Sequence, residues 1–185
     1  MDTMADGQEE GGMTMKEQEI VEMILKKAPY AEGKVRRERR IEFKVPADRI
    51  RDFLTLMKES GFELMLQITP VDWIKEGEIE LIYQIWSVTH KIHAMVRTRI
   101  PRELEKARMP TIKDIYPAAE TYERDAHEFF GVYFEGNEKM EMPWILDDTE
   151  RGTYPLRKDF DMLSYVKKKY KILDRFDENK DNYVI

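Results

Sequence analysis

The chain predicts an α+β fold: a small mixed sheet with packed helices, followed by an extended C-terminal docking tail. Three observations carry this. Ile79–Val88 and Lys91–Arg99 alternate apolar and polar residues, the period of a half-buried strand. Apolar residues over Ile20–Leu25, Ile50–Met57 and Ala118–Phe130 instead fall at helical spacing. After Gly136 both periods fade, while Pro143, Pro155 and mixed charges continue. Residues 13–136 are thus expected to form the α+β core and residues 137–185 an extended partner-binding tail. Residues 1–12, acidic and glycine-bearing, are expected to be disordered.

Taken in order, the first helix starts at Thr14, a capping residue with Glu17 three positions on, and stops at Pro29. In KVRRERRIEFKV, alternation over Ile41–Val45 makes the second half a strand. Pro46 suits the first turn of a second helix, with Ile50, Phe53, Leu54 and Met57 inward and Gly61 as its stop. FELMLQIT from Phe62 reads as a buried strand and PVDW as a turn; a hairpin follows across Thr89–His90. Pro101 and Pro110 bracket a charged linker, and Thr111–Tyr116 suit a short helical turn. Pro117 opens the helix that Gly131 ends, and a last short helix fits Ser164–Tyr170.

Composition narrows the function classes. The 185 residues suffice for one domain that hides roughly 70% of its unfolded surface. Charged residues make up 37%, against about 25% in ordinary proteins. With sparse Asn and Gln and no Cys, this is a composition in keeping with a thermophilic source. With no cysteine there is no thiolate to hold an iron–sulfur cluster or to act as nucleophile. No run approaches the roughly 20 apolar residues of a membrane span, and the acidic N-terminus does not read as a secretory signal. The net charge of −6 argues against a general nucleic-acid binder.

The most informative run is YERDAHEFFGVYFEGNEKMEMPWILDDTERGTYPLRKDF, Tyr122 to Phe160. On its helix, Ala118, Tyr122, Ala126 and Phe129 share a face suited to a core, and Glu120, Arg124 and Glu128 form a charge ladder on another. Downstream, Pro155 fixes the backbone, Arg157 offers a bidentate fork, Lys158 a point charge, and Leu156 and Phe160 apolar anchors. An extended segment of this kind suits a docking strand.

The run resembles the thirty-kilodalton subunit family of complex I, which has members in archaeal membrane-bound hydrogenase and ferredoxin-coupled sulfane sulfur reductase complexes. The family's acid–Arg–acid signature is matched by Glu123, Arg124, Asp125, Glu128, Phe129, Phe130 and Gly131, and its later element by Pro155, Leu156, Arg157, Lys158 and Asp159. FELMLQITPVDW with Asp72, the central hairpin with Tyr83, and TIKDIYPAAETYERD extend the resemblance over Phe62–Phe160. Departures are Asp125 for Glu, Glu128 for Asp, and Asn137 for His or Lys. The resemblance implies a structural subunit without catalytic residues or cofactor of its own. It would sit peripherally on the cytoplasmic side of the cell membrane, in the arm of an energy-converting oxidoreductase complex. Its neighbours would be a large hydrogenase-like subunit and a small iron–sulfur subunit, with antiporter-like membrane subunits further off. Iron–sulfur clusters and any nickel–iron site would belong to those partners. The partner-binding residues it implies are Glu123, Arg124, Asp125, Glu128, Phe129 and Gly131 with Pro155, Leu156, Arg157, Lys158 and Asp159.

Two other readings rest on different residues. Glu123 and His127, four apart on a helix, could join Asp147 in a metal-dependent or acid/base enzyme. Lys34, Arg36, Arg37, Arg39 and Arg40 suit an exposed strand edge guarded by charge, or could bind anionic lipid, a partner or nucleic acid, although Glu38 and Glu42 dilute them. His90 and His93, three apart in a strand hairpin, point to opposite faces and do not make a metal pair.

Overall fold

The computed structural model describes residues 16–170. The order is α1 (Glu17–Lys27), β1 (Glu32–Arg37), β2 (Arg40–Lys44), a 3-10 turn (Ala47–Arg49), α2 (Ile50–Glu59), β3 (Leu64–Trp73), β4 (Glu78–Ser87), β5 (Ile92–Pro101), β6 (Arg108–Pro110), α3 (Ala119–Phe130), β7 (Tyr133–Glu135) and α4 (Met162–Tyr170). A five-stranded sheet runs β1-β2-β5-β4-β3, and β6 pairs with β7 beside it. The β2–β5 pair is parallel and the rest of the large sheet antiparallel. A parallel pair needs a crossover, and α2 with the β3–β4 hairpin supplies it. The α+β expectation holds.

The strand register sorts residues between two faces. Ile41, Ala94, Ile85 and Met65 align across four strands and are buried, as are Phe43, Val96 and Tyr83 in the next inward row. α1 and α2 cover this face: Val21 reaches the Gly33–Phe43 pair, and the Phe43 and Phe53 rings lie 5.1 Å apart. Removing a buried residue such as Phe53 would cost about 3–5 kcal/mol. α3 packs along β3. The opposite face carries an ion-pair network. Glu42 is held by Lys34, Arg36 and Arg97, and Glu80 by Arg97, Arg99 and the Trp73 indole.

Several local expectations change. Residues 1–12 and Thr14 lie outside the described residues; α1 begins at Glu17, where the Glu19 carboxylate accepts from the Lys16 N–H. The basic first half of KVRRERRIEFKV is itself a strand, because β1 needs only the β2 backbone and its side chains stay in water. β3 is an edge strand rather than a buried one, with Leu64 and Leu66 exposed. It runs on through PVDW to Trp73, since Pro70 sits where an edge strand tolerates a missing N–H. The stretch between Pro101 and Pro110 is bounded by strands, as Pro101 ends β5 and Pro110 ends β6.

Candidate partner-binding site

α3 ends where the sequence ends it. Gly131 adopts φ 72°, and its N–H donates to the His127 carbonyl. A side chain there would be strained and would also meet Leu104 at 2.5 Å and the Tyr154 ring at 3.0 Å. The core face of the helix is set by Ala119, Glu123 and Ala126, with spacings of four and three. Ala118 is exposed, and Tyr122 and Phe129 are half-buried, so the expected core stripe is rotated by one position. The reason is Glu123. Its fully buried carboxylate accepts from the Thr111 hydroxyl (2.7 Å), the Ile112 N–H (2.8 Å) and the Asn137 amide (2.9 Å). Burial pushes this carboxyl above the usual range, and the three donors oppose that shift. Asn137 also donates to the Glu120 carbonyl, so the acid ties the segments on either side of the helix to it.

The charge ladder does not form along the helix. Arg124 turns to the segment after β7 and donates to the carbonyls of Met142 and Pro143, with its guanidinium 4.6 Å from the centre of the Trp144 ring. Glu128 accepts from three successive N–H groups, Trp144 (2.5 Å), Ile145 (2.8 Å) and Leu146 (3.1 Å). Asp125 faces the same Trp144 side chain, and burial raises its carboxyl pKa. Glu120 pairs with Lys139 instead. Charges i and i+4 on a surface helix gain only about 0.3–0.5 kcal/mol from each other, and unpaired backbone groups of a crossing segment offer more.

The second motif closes the other end of the helix. Tyr154–Arg157 and Arg157–Phe160 are successive β-turns, each closed by a backbone hydrogen bond of 3.0–3.1 Å, so the segment is turned rather than extended. Pro155 stands at the second position of the first turn, where its fixed φ belongs. The Leu156 N–H donates to the Phe129 carbonyl, and Arg157 Nε to the Phe130 carbonyl. Those carbonyls are among the last four that a helix leaves without partners, and a cation there also meets the negative end of its dipole. The Lys158 N–H then donates to Asp72, which Arg102 grips with two bonds, and Arg102 reaches on to Asp159. Burial would raise the Asp72 carboxyl, but Arg102 and the Lys158 N–H outweigh it and hold it below the ordinary range.

The two motifs of the sequence are therefore halves of one intramolecular clamp. Glu123 and Glu128 of the first half engage their carboxylates inside the chain, as do the Arg124 Nη2 and, in the second half, the Arg157 Nε. Outward, the clamped segments present Met142, Trp144, Ile145 and Leu156, and the start of α4 adds Met162 and Leu163, each about half exposed or more. Lys158 and Asp159 are exposed beside them. Asp72 stands out in the sequence but Arg102 does not, because its role appears only once β4, paired with both strands, brings the end of β5 within a side chain's reach of Asp72 on β3.

The metal alternative finds no geometry. Among the described residues no three His, Asp or Glu side chains are grouped to hold a metal ion. His127 Nδ1 meets the Val132 carbonyl, and Asp147 caps its own turn through Thr149. Among the described residues, no helix is long and apolar enough to cross a membrane.

A family model for the respiratory-chain NADH dehydrogenase, 30 Kd subunit, matches residues 43–166. The chain belongs to this family. A subunit of the NADH-quinone oxidoreductase of Phenylobacterium zucineum is 34% identical over 127 residues, covering 68% of this chain. This chain spans only 58% of that protein's length. A subunit of the F(420)H(2) dehydrogenase of Methanosarcina mazei is 29% identical over 145 residues, covering 77% of this chain and 90% of its own. Among solved structures, a chain of the membrane-bound sulfane sulfur reductase, an archaeal respiratory membrane complex, is 80% identical with a TM-score of 0.84. That match covers 90% of this chain and 98% of the other. A trypsin-resistant fragment of Nqo5, at 21% identity and TM-score 0.57, shares the fold over 66% of this chain. The residues that form the clamp lie within the matched stretch.

Proposed function

We propose that this chain is a non-catalytic structural subunit in the peripheral arm of a membrane-bound, complex I-related oxidoreductase of the sulfane sulfur reductase type. It braces a large hydrogenase-like subunit against a small iron–sulfur subunit on the cytoplasmic side, and the clusters are carried by those partners. The observation that carries this reading is the outward face of the clamp. A fold that buries most of its large apolar residues leaves Met142, Trp144, Ile145 and Leu156 exposed on segments pinned to α3 by Glu128, Arg124 and Arg157, and Met162 and Leu163 exposed at the start of α4 just beyond them. Exposed apolar groups on a pinned segment are the makings of an interface, because little ordering entropy remains to be lost on binding. The likeness to a chain of an archaeal respiratory membrane complex supports the type of assembly.

The test is affinity purification of the full chain from mildly solubilised native membranes, with and without L156E/L163E. Both side chains are exposed, so the isolated variant keeps its melting temperature. The wild-type chain should bring down a large and a small electron-transfer subunit, and the variant should lose them. Recovery of the wild-type chain alone, or of an intact complex with the variant, would sink the proposal.

A further inference from the structure

One end of the open sheet face plays no part in the clamp. Leu64, Trp86, His93, Arg40 and Arg37 stand in register across all five strands, in the order β3, β4, β5, β2, β1. The row runs from an exposed apolar residue, through two aromatic rings, to two guanidiniums. Arg39, in the turn between β1 and β2, adds a third. That turn is itself braced, since the Arg39 N–H donates to Glu17 of α1 at 2.7 Å.

The arginines set this end apart. Each of the other described arginines holds a carboxylate or a backbone carbonyl. Examples are Arg36 with Glu42, Arg51 with Asp114, Arg97 with Glu80, Arg108 with Glu135 and Arg151 with Asp148. Among the described residues, the guanidiniums of Arg37, Arg39 and Arg40 hold none, and all three residues are exposed. At the turn only two acids, Glu38 and the Glu17 carboxylate bound to the Arg39 N–H, stand against these three cations, in a chain whose net charge is −6. The ion-pair network further along the same face satisfies itself and needs no partner; this end does not.

We propose that the β1–β2 end of the open sheet face is a second contact surface, which takes an acidic segment of another subunit of the assembly. Carboxylates of that segment would meet Arg37, Arg39 and Arg40, and an apolar side chain would lie over Leu64, Leu66 and Trp86. Arginine and tryptophan are the residue types that dominate interface energetics, and a planar guanidinium suits a carboxylate bidentately. The apolar end of the row favours a protein segment over an anionic membrane, which would offer phosphates but nothing for Leu64 and Trp86. The overall negative charge also opposes approach to such a membrane. The inference rests on the reading of the chain as one subunit of a complex.

The test uses the complex purified from native membranes with the chain carrying R37K/R39K/R40K, which keeps the charge and introduces amines. A zero-length carbodiimide should then join positions 37–40 to an Asp or Glu of another subunit, and R37E/R39E/R40E should lower subunit retention in a moderate-salt wash by about tenfold. If the lysine-bearing complex forms but yields no such inter-subunit link, or if the charge-reversed chain is retained fully, the contact surface is refuted. If the links are absent and the isolated wild-type chain binds phosphatidylserine vesicles in a manner lost with R37E/R39E/R40E, a membrane occupies the site and the inference fails. If even the wild-type chain recovers no partner, it is the subunit reading that falls first.

Discussion

Glu123 is the signature residue with the least contact with solvent, and its three donors give it a structural task before any other. Replacing it by Ala leaves the Ile112 N–H, the Thr111 hydroxyl and the Asn137 amide facing an emptied site. Orphaning buried donors costs about 1–3 kcal/mol each where no water reaches them. We expect Glu123→Ala to lower unfolding stability by about 3 kcal/mol, as read by denaturant titration of the isolated chain. A side chain that serves only a partner would leave that titration unchanged. Asp72 makes a prediction with a pH signature. Its carboxyl is held below the ordinary value of 3.8, so its contribution to stability is present in full above that pH and is lost as pH falls through the lower folded-state value. Asp72→Asn should therefore cost about 2–3 kcal/mol at neutral pH, and the gap between wild type and variant should narrow below about pH 3.8. A gap that stays constant down to about pH 2 would show that Asp72 is not bound as its carboxylate.

At the scale of the element, what the sequence discloses depends on whether a residue's partner is local. The β4–β5 hairpin, the stop of α3 at Gly131 and the short C-terminal helix follow from neighbours in sequence and stand within a residue or two of expectation. β1 is legible only as a charge-guarded edge, without the alternation that marks β2, because its side chains face water and its main requirement is the β2 backbone. The α3 faces are misplaced by one position because a buried Glu breaks the rule that charge faces water; only Thr111 and Asn137, 12 and 14 residues away, reveal why it is inside. The clamp is legible as two motifs but not as one object, since Lys158 meets Asp72 across 86 residues. Gly131 links the two halves. It needs the left-handed conformation, and its missing side chain makes room for Tyr154 and Leu104. Gly131→Ala should cost about 1–2 kcal/mol for conformation alone. It should cost more through the displaced Tyr154, and limited proteolysis should then cut the chain between Trp144 and Phe160 faster than in wild type. Faster cutting without loss of stability would show that the two halves are held independently.

For the whole molecule, the open question is whether the segment after Gly136 is an appendage or part of the fold. Asn137 and Met140 are buried, and three hydrogen bonds join Leu156, Arg157 and Lys158 to the end of α3 and to β3. An appendage that orders only on a partner would bring its ordering cost to the interface, whereas a pre-folded clamp has met most of that cost beforehand. Ending the chain at Thr153 separates the two. Net hydrogen bonds of this kind contribute about 0.5–1.5 kcal/mol each, so losing three removes about 2–4 kcal/mol, partly offset by the freedom the segment regains. At about 2–4 °C per kcal/mol for a chain of this size, the truncated protein should melt roughly 4–10 °C below the full chain, in the absence of any partner. An unchanged melting temperature would mean that the clamp closes only in the complex. The exposed row of Leu156, Met162 and Leu163 would then have to be ordered by the subunit it binds. A lowered one means that the chain arrives at assembly with its docking surface already built.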